Sequence, residues 1–215
     1  MNAAVHPLGD SALTIVLAEE PGTDATKLSR VTAELLRRSG IPHIGEVVAS
    51  YTSVTVFYDS LHASFDQMET EILETIESAS LTGTPAIEGR HHRIAVRYDG
   101  PDLDSVAAAT GLDREKVVEI HSSRTYDVDL LGFVPGFAYL SALDPRLELP
   151  RREHPRPRVP AGSVAIAARM TGIYPFATPG GWHILGSSVE VMFDPRRPDP
   201  SLFRPGDTVK FEPLP

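Results

Sequence analysis

Residues 80–90, SLTGTPAIEGR, separate two parts of the chain that have different sequence patterns. The segment is small, polar and turn-forming, and it lacks the periodicity of a helix or a strand. Only four of the 19 prolines lie in residues 1–100, so the second part is rich in proline. Because proline is poorly tolerated inside helices and central strands, that part is predicted to consist of short strands joined by turns. We therefore predict a linker here and two domains, at residues 1–85 and 90–215.

The first domain is predicted to have the element order β-α-β-β-α. The predicted elements are a strand at residues 11–18, a helix at residues 24–39, strands at residues 47–50 and 54–58, and a second helix from Ser64. Gly40 ends the first helix, and Gln67 completes a capping box with Ser64 at the start of the second. The short turn between the two later strands predicts a hairpin. This order resembles a ferredoxin-like split unit.

The second domain is predicted to close into a small β-barrel. The predicted elements are a strand at residues 94–98, helices at residues 103–110 and 113–121, and a last strand at residues 208–211, with other short strands between them. The turn at residues 204–207, RPGD, introduces the last strand, because proline presets one dihedral angle and glycine accepts the left-handed one. The whole chain is therefore predicted to belong to the α+β class.

Composition and charge exclude several classes of function. The chain of 215 residues is 41% hydrophobic and 23% charged, which is typical of a folded globular protein. It has no cysteine, so disulfides, thiolate metal sites and a cysteine nucleophile are excluded. A net charge of −9 argues against general nucleic-acid binding. The apolar segment at residues 12–18 is shorter than the ~18–20 residues that span a bilayer. We therefore expect a soluble, cytoplasmic protein without a membrane partner.

Several short motifs have structural explanations. Residues 103–118 have the spacing of a helix-turn-helix, but their acidic side chains would repel phosphate, so we predict two packing helices. His91 and His92 would point to opposite faces of a strand, which favours surface histidines over a metal site. The patterns G-x-x-x-x-G-K-[ST], G-x-S-x-G and H-E-x-x-H are absent, which removes the commonest signatures of ATPases, serine hydrolases and metalloproteases.

Residues 131–140, LGFVPGFAYL, place three aromatic side chains among two glycines and a proline. This composition is too kinked for a plain strand, and it suggests a shaped apolar wall. The alternative is a core strand with a bulge, because glycine within a strand often marks such a bend. For Phe133 alone the bulge is the better interpretation, whereas the cluster as a whole favours a groove.

Residues 151–158, RREHPRPR, concentrate four arginines in an otherwise acidic protein. Guanidinium groups bind planar oxyanions through two parallel hydrogen bonds, so the segment suits a carboxylate or a phosphate. Because Arg156 and Arg158 are two residues apart, an extended chain would direct both side chains to the same side. A solvated loop or an ion-paired surface for a partner is the alternative.

A third segment contains the only tryptophan, Trp182, directly after Gly180 and Gly181. Glycine permits the backbone to approach a ligand closely, which favours a binding site here. Packing of Trp182 in the core is the alternative interpretation.

Four long motifs in order, together with GDSAL at residues 9–13, resemble one known family over essentially the full length. The motifs are LGFVPGFAYL at residues 131–140, PRPRVPAGSV at 155–164, TGIYP at 171–175 and TPGGWHILG at 178–186. They are similar to the successive signatures of the family that contains the B subunit of 5-oxoprolinase, allophanate hydrolase subunit 1 and the Kip-type kinase inhibitors.

The resemblance implies a ferredoxin-like N-terminal domain followed by a cyclophilin-like β-barrel C-terminal domain. It also implies a partner similar to the C subunit of 5-oxoprolinase and to allophanate hydrolase subunit 2. In 5-oxoprolinase the assembly, which includes a lactam-hydrolase subunit, opens the small amide 5-oxo-L-proline to glutamate with ATP. Two alternatives stay open, namely a carboxyltransferase-type subunit in urea or allophanate metabolism and an inhibitor of a sporulation histidine kinase.

The 5-oxoprolinase interpretation leads to a hypothesis about the site, with ATP, with or without Mg²⁺, bound at the assembly and no metal held by this chain. The expected cleft residues are Phe133, Pro135, Gly136, Phe137, Tyr139, Arg156, Arg158, Gly162, Ser163, Thr171, Tyr174, Gly180, Gly181 and Trp182. The arginines would hold carboxylate or phosphoryl oxygens, the glycine-rich amides would receive negative charge, and the rings would exclude water. His121 would transfer a proton or would simply end a helix.

Overall fold

The computed structural model of the chain describes residues 4–82 and 89–215, without the side chains of residues 80–82. The described residues form two compact units that divide between these two ranges. The predicted linker at residues 80–90 lies mostly outside the described residues, and its first three residues belong to a helix. Each unit has its own hydrophobic core.

The first unit is a four-stranded antiparallel sheet with two helices. Its elements are β1 (Ala4–Pro7), β2 (Ala12–Val16), α1 (Thr23–Arg38), β3 (Ile44–Ala49), β4 (Ser53–Tyr58) and α2 (Phe65–Thr82). The strand order is β1-β2-β4-β3, so the predicted hairpin of β3 and β4 is confirmed. The edge strand β1, which pairs with β2, was not predicted. The ferredoxin-like assignment stays a prediction.

Helix α2 begins with the predicted capping box. The Ser64 amide donates to Gln67 Oε1 at 2.9 Å, and the Gln67 amide donates to Ser64 Oγ at 3.3 Å. These two bonds satisfy backbone donors that the first turn of a helix leaves without intrahelical partners. The side chains of Met68, Ile72 and Ile76 then bury one face of the helix against the sheet, as their spacing predicted.

The second unit contains a seven-stranded sheet, a two-stranded ribbon and two helices. Its elements are β5 (His91–Val96), α3 (Leu103–Thr110), α4 (Arg114–Ser123), β6 (Thr125–Leu131), β7 (Ala138–Ser141), a 3-10 helix (Pro145–Leu147), β8 (Arg156–Val159), β9 (Ser163–Ala167), β10 (Met170–Ile173), β11 (Thr178–Gly180), β12 (His183–Ser187) and β13 (Thr208–Pro213). The sheet order is β12-β9-β10-β7-β6-β13-β5, and β8 pairs with β11. The chain is therefore of the predicted α+β class.

The two edges of the seven-stranded sheet meet, which makes it a nearly closed barrel. The Arg97 amide donates to the Ser187 carbonyl oxygen at 2.9 Å, and the Ser187 amide donates to the Arg97 carbonyl oxygen at 2.8 Å. Gly186 stands beside this bridge, and a Cβ there would overlap the Arg97 carbonyl oxygen. The predicted barrel is thus confirmed as a barrel-like sheet, while the cyclophilin-like assignment stays a prediction.

Helices α3 and α4 pack on the barrel, as predicted for residues 103–121. Val106, Val117 and Ile120 are buried in the main core of the second unit.

The adjacent histidines His91 and His92 have separate partners. His91 Nδ1 lies 2.5 Å from Thr208 Oγ1, and His92 Nε2 lies 2.9 Å from Asp207 Oδ2. None of the helices in the described ranges combines the length and apolarity that crossing a bilayer requires.

Candidate functional site

The predicted aromatic wall is largely a packed cluster. The aromatic cluster consists of Phe137, Tyr139, Tyr174 and Trp182. The Phe137 ring lies 5.1–5.4 Å from the other three in edge-to-face contacts, a favourable arrangement of aromatic rings. Trp182 is only 5% exposed. Trp182 therefore packs in the core, which was the alternative interpretation of this residue.

Phe133 behaves differently from these rings. It adopts φ +67°, and its side chain remains 59% exposed while its ring makes an edge contact with Phe137 at 5.5 Å. The loop 131–136, which contains Pro135 and Gly136, lines an open groove of about 480 Å³ together with Phe193 and Ser201. The groove extends toward Phe193 rather than toward the arginines. The irregular pairing of β6 with β7 lies before this loop, between Val128 and Leu130.

A buried carboxylate organises the arginine-rich segment. Asp102, with its side chain 3% exposed, accepts from Arg156 Nη1 and Nη2 at 2.8 and 2.7 Å and from Arg152 Nη1 at 2.7 Å. Its Oδ2 also accepts from the Ile184 amide at 2.7 Å. Burial alone would raise the pKa of Asp102, but these hydrogen bonds and the two positive charges keep it below its usual value. We call Asp102, Arg152 and Arg156 the Asp102 cluster.

The Asp102 cluster changes the expected role of the arginines. Arg156 spends one N–H of each terminal nitrogen on Asp102, so its charge is paired inside the protein rather than left free for a ligand as predicted. The side chain of Arg158 is exposed and forms no hydrogen bond or ion pair with the described part of the chain. The two arginines therefore differ in their surroundings, although their spacing suggested a common role. Arg156 forms an ion pair with the buried Asp102, whereas Arg158 does not.

The glycine-rich backbone is also less available than predicted. The Gly162 amide donates to the Tyr174 carbonyl oxygen at 2.7 Å, and the Ser163 amide donates to the Pro160 carbonyl oxygen at 3.3 Å. These two amides therefore have internal acceptors in this structure, and their role toward a substrate stays a prediction. A Cβ at Gly180 would overlap the Tyr174 hydroxyl, so this glycine serves packing. The amide of Gly181 has no partner among the described residues.

His121 lies in the core of the second unit rather than at an exposed helix end. The Tyr98 hydroxyl lies 2.7 Å from its Nδ1, and Thr171 Oγ1 lies 2.8 Å from its Nε2. Because the Thr171 hydroxyl donates to the Ala165 carbonyl oxygen, we assign Nε2 as a donor and Nδ1 as an acceptor. Burial lowers the pKa of His121 to about 3. A neutral, fully bonded imidazole is placed to order Thr171, not to transfer a proton to a ligand.

Positive charge remains at the rim of the aromatic cluster. Burial raises the pKa of Tyr174, and the backbone of Trp182 and the charges of Arg151 and Arg156 oppose this only in part. The two arginines are thus close enough to the Tyr174 hydroxyl to act on it electrostatically. Of the predicted site residues, Arg156, Tyr174 and Gly180 come together here.

Sequence reasoning missed Asp102, and it included Arg152 in the arginine-rich segment without singling it out. Asp102 precedes helix α3 and has the position of a helix N-cap, although its side chain makes no capping bond. The available signal was the concentration of arginines in an acidic chain, since buried or half-buried guanidinium groups require a carboxylate partner. Nothing in the spacing indicated that the partner lies 50 residues before Arg152.

Residues 3–203 match the family described as "Carboxyltransferase domain, subdomain C and D". The chain belongs to this family. Among curated relatives, the B subunit of 5-oxoprolinase from Escherichia coli O157:H7 is 40% identical over 215 residues, which cover 98% of this chain and 96% of the relative. The resemblance seen in the four sequence motifs is therefore confirmed.

Two solved structures extend this comparison. The structure of TTHA0988 is 38% identical, with a TM-score of 0.83, and covers 95% of this chain. This chain spans only 40% of the length of TTHA0988. The urea carboxylase of Kluyveromyces lactis has a TM-score of 0.76 at 18% identity, and the match covers 99% of this chain and 22% of that enzyme. At that identity the likeness shows a shared fold.

Proposed function

We propose that this carboxyltransferase-family chain is one component of an ATP-dependent 5-oxoprolinase, which converts 5-oxo-L-proline, ATP and water to L-glutamate, ADP and phosphate. The observation that carries the proposal is the 40% identity, over 98% of the chain, to a relative named as the B subunit of 5-oxoprolinase. Similarity at this level over the whole length covers both compact units and all four motifs rather than one short signature.

The proposed enzyme is an assembly, and the chain is not expected to be active alone. Its partners would be a protein similar to the 5-oxoprolinase C subunit and to allophanate hydrolase subunit 2, and a lactam-hydrolase subunit, in the cytoplasm. The relative's name, which makes it one subunit of an enzyme, and the far greater length of TTHA0988 support further polypeptide beside this one. We also propose that the first unit is ferredoxin-like and the second cyclophilin-like, which the position of β4 between β2 and β3 and the nearly closed barrel support.

The residues of this chain would contribute binding rather than a hydrolytic base. Arg158 is an exposed guanidinium without a partner among the described residues, and its charge fits phosphoryl oxygens of a nucleotide or an activated substrate. ATP, when bound at the assembly, supplies the phosphoryl group that activates the lactam oxygen. The buried aromatic cluster would keep water from one side of this region, and the neutral His121 would hold the barrel interior in place.

The proposal is tested by reconstitution. Mixing the chain with both proposed partners should give glutamate from 5-oxo-L-proline only when ATP is present. Arg158→Ala should lower kcat/KM by about 10- to 100-fold, which corresponds to loss of a hydrogen bond to a charged group. Arg93→Ala is the matched control, because Arg93 is also exposed but pairs with Glu212. No turnover by the complete wild-type assembly would reject the enzyme assignment.

The family description favours one second candidate, a carboxyltransferase-type subunit in urea or allophanate metabolism. In that case the chain, joined with its partner and a biotin carboxylase, should support transfer of a carboxyl group to a small amide. It should then give no glutamate from 5-oxo-L-proline. Suppression of histidine-kinase autophosphorylation by the isolated chain would instead support the inhibitor alternative.

A further inference from the structure

The Asp102 cluster contains more positive than negative charge. Among the described residues, Asp102 is the only carboxylate within ion-pair distance of Arg152 or Arg156, whose side chains are 31% and 23% exposed. One carboxylate cannot neutralise two guanidinium groups. Arg151 adds a third positive charge near the Tyr174 hydroxyl. In a chain with a net charge of −9, this cationic surplus at a half-buried position favours an anionic ligand.

The two arginines bond Asp102 differently, and of the two only Arg152 has a buried Nε without a hydrogen-bond partner in the described structure. Arg156 uses its end edge, with Nη1 and Nη2 both bonded to Asp102. Arg152 uses only Nη1, which leaves the side edge formed by Nε and Nη2 without a partner among the described residues. Two parallel N–H groups on one edge of a guanidinium match the two oxygens of a carboxylate or of a phosphoryl group.

A side-chain donor of Arg152 and the backbone donor of Gly181, two residues joined by a backbone hydrogen bond, lack partners in the described structure. Arg152 Nε is buried and has no hydrogen-bond partner in the described structure. The Arg152 amide donates to the Gly181 carbonyl oxygen at 2.8 Å, which joins the two residues, and the Gly181 amide itself has no partner in the described ranges. A buried donor without an acceptor costs stability, so such donors are normally satisfied by water or by a ligand.

We infer that Arg152, through its Nε and Nη2 edge and assisted by the Gly181 amide, binds a small oxyanion, and that Asp102 is the residue that positions Arg152. The identity of the oxyanion rests on the proposed function: it is the carboxylate of 5-oxo-L-proline. Arg158 binds phosphoryl oxygens instead. Asp102 fixes the guanidinium by its Nη1, so the free edge keeps one orientation. The single tryptophan, Trp182, follows Gly181 directly and reports on the site.

The experiment is a titration of the intact chain, followed by Trp182 fluorescence and by calorimetry. One arm uses 5-oxo-L-proline and the other uses inorganic phosphate, both against sodium chloride at matched ionic strength. Wild-type protein should show saturable binding of 5-oxo-L-proline. Saturation in the phosphate arm alone would overturn the assignment of the oxyanion as a carboxylate. Arg152→Gln should weaken binding by at least ~10-fold, because two charge-assisted hydrogen bonds are lost.

Controls separate binding from folding and from the proposed enzyme. Arg152→Lys keeps the charge but lacks the two parallel N–H groups of a guanidinium, so it should also bind more weakly. Arg196→Gln removes a charge from an exposed ion pair with Asp194 and should bind like wild type. Circular dichroism verifies the fold of each variant. Absence of saturable binding in both arms, or equal binding by wild type and both Arg152 variants, would overturn the inference. Turnover by the reconstituted assembly without such binding would overturn this inference and leave the proposed function intact. Binding by the chain without turnover by the assembly would support the oxyanion site and reject the proposed function.

Discussion

His121 lies in the core of the second unit, where burial lowers the pKa of its imidazole to about 3. An unfolded histidine has a pKa near ~6.5, so between these two values the unfolded chain binds one more proton than the folded chain. The stability that His121 contributes is therefore present above about pH 6.5 and is lost as the pH falls below that value.

Urea unfolding at pH 7.5, 6.5 and 5.5 measures this effect. From pH 6.5 to 5.5 the folded state should lose up to about 1.4 kcal/mol on account of this one residue. His121→Gln keeps a neutral side chain that can donate and accept, so its stability should fall less steeply over the same range. Equal slopes for the two proteins would show that protonation of His121 is not responsible.

At the level of elements, the bridge between Arg97 and Ser187 brings the two edges of the sheet together. Gly186→Ala would force a methyl group against the Arg97 carbonyl oxygen. We expect a loss of about 1–3 kcal/mol in unfolding free energy, as is usual for overpacking. The measurement is urea unfolding followed by the fluorescence of Trp182.

Gly132→Ala is the matched control for this prediction. A Cβ at Gly132 would meet the side chains of Leu130 and Tyr139 at 3.5 and 3.6 Å, which is ordinary van der Waals contact. Its unfolding free energy should therefore stay within about 0.5 kcal/mol of wild type. If both variants lost stability equally, close packing at the bridge would not explain the effect.

On the scale of the whole molecule, two separate cores predict two separable unfolding events. Ile72 is fully buried in the first unit, and Ile72→Ala should remove about 2–5 kcal/mol from that unit. Trp182 lies in the second unit, so its fluorescence should report an unchanged transition, while circular dichroism should show an earlier one. Glu71→Ala, on the exposed side of the same helix, should change neither. An equal shift of both signals would mean that the chain unfolds as one unit.

Much of the fold followed from local sequence patterns. Helix α3 was predicted at the residues where it lies, and the capping box of α2 was evident from Ser64 and Gln67. Both features depend on residues within four positions of each other. Strand β1 was missed because it is four residues long, mostly exposed and without apolar alternation, and it is defined only by pairing with β2.

The sequence by itself determined the family, the α+β class and the positions of the helices, because these depend on motifs and on periodicities within short segments. Only the tertiary structure decided which polar groups of the described residues remain available for a ligand. It committed Arg156 and the Gly162 amide to internal partners, and it left Arg158 and one edge of Arg152 unpaired. The reason is that a hydrogen bond such as that from Arg152 to Asp102 joins residues 50 positions apart, and only the folding of the chain brings them within 2.7 Å.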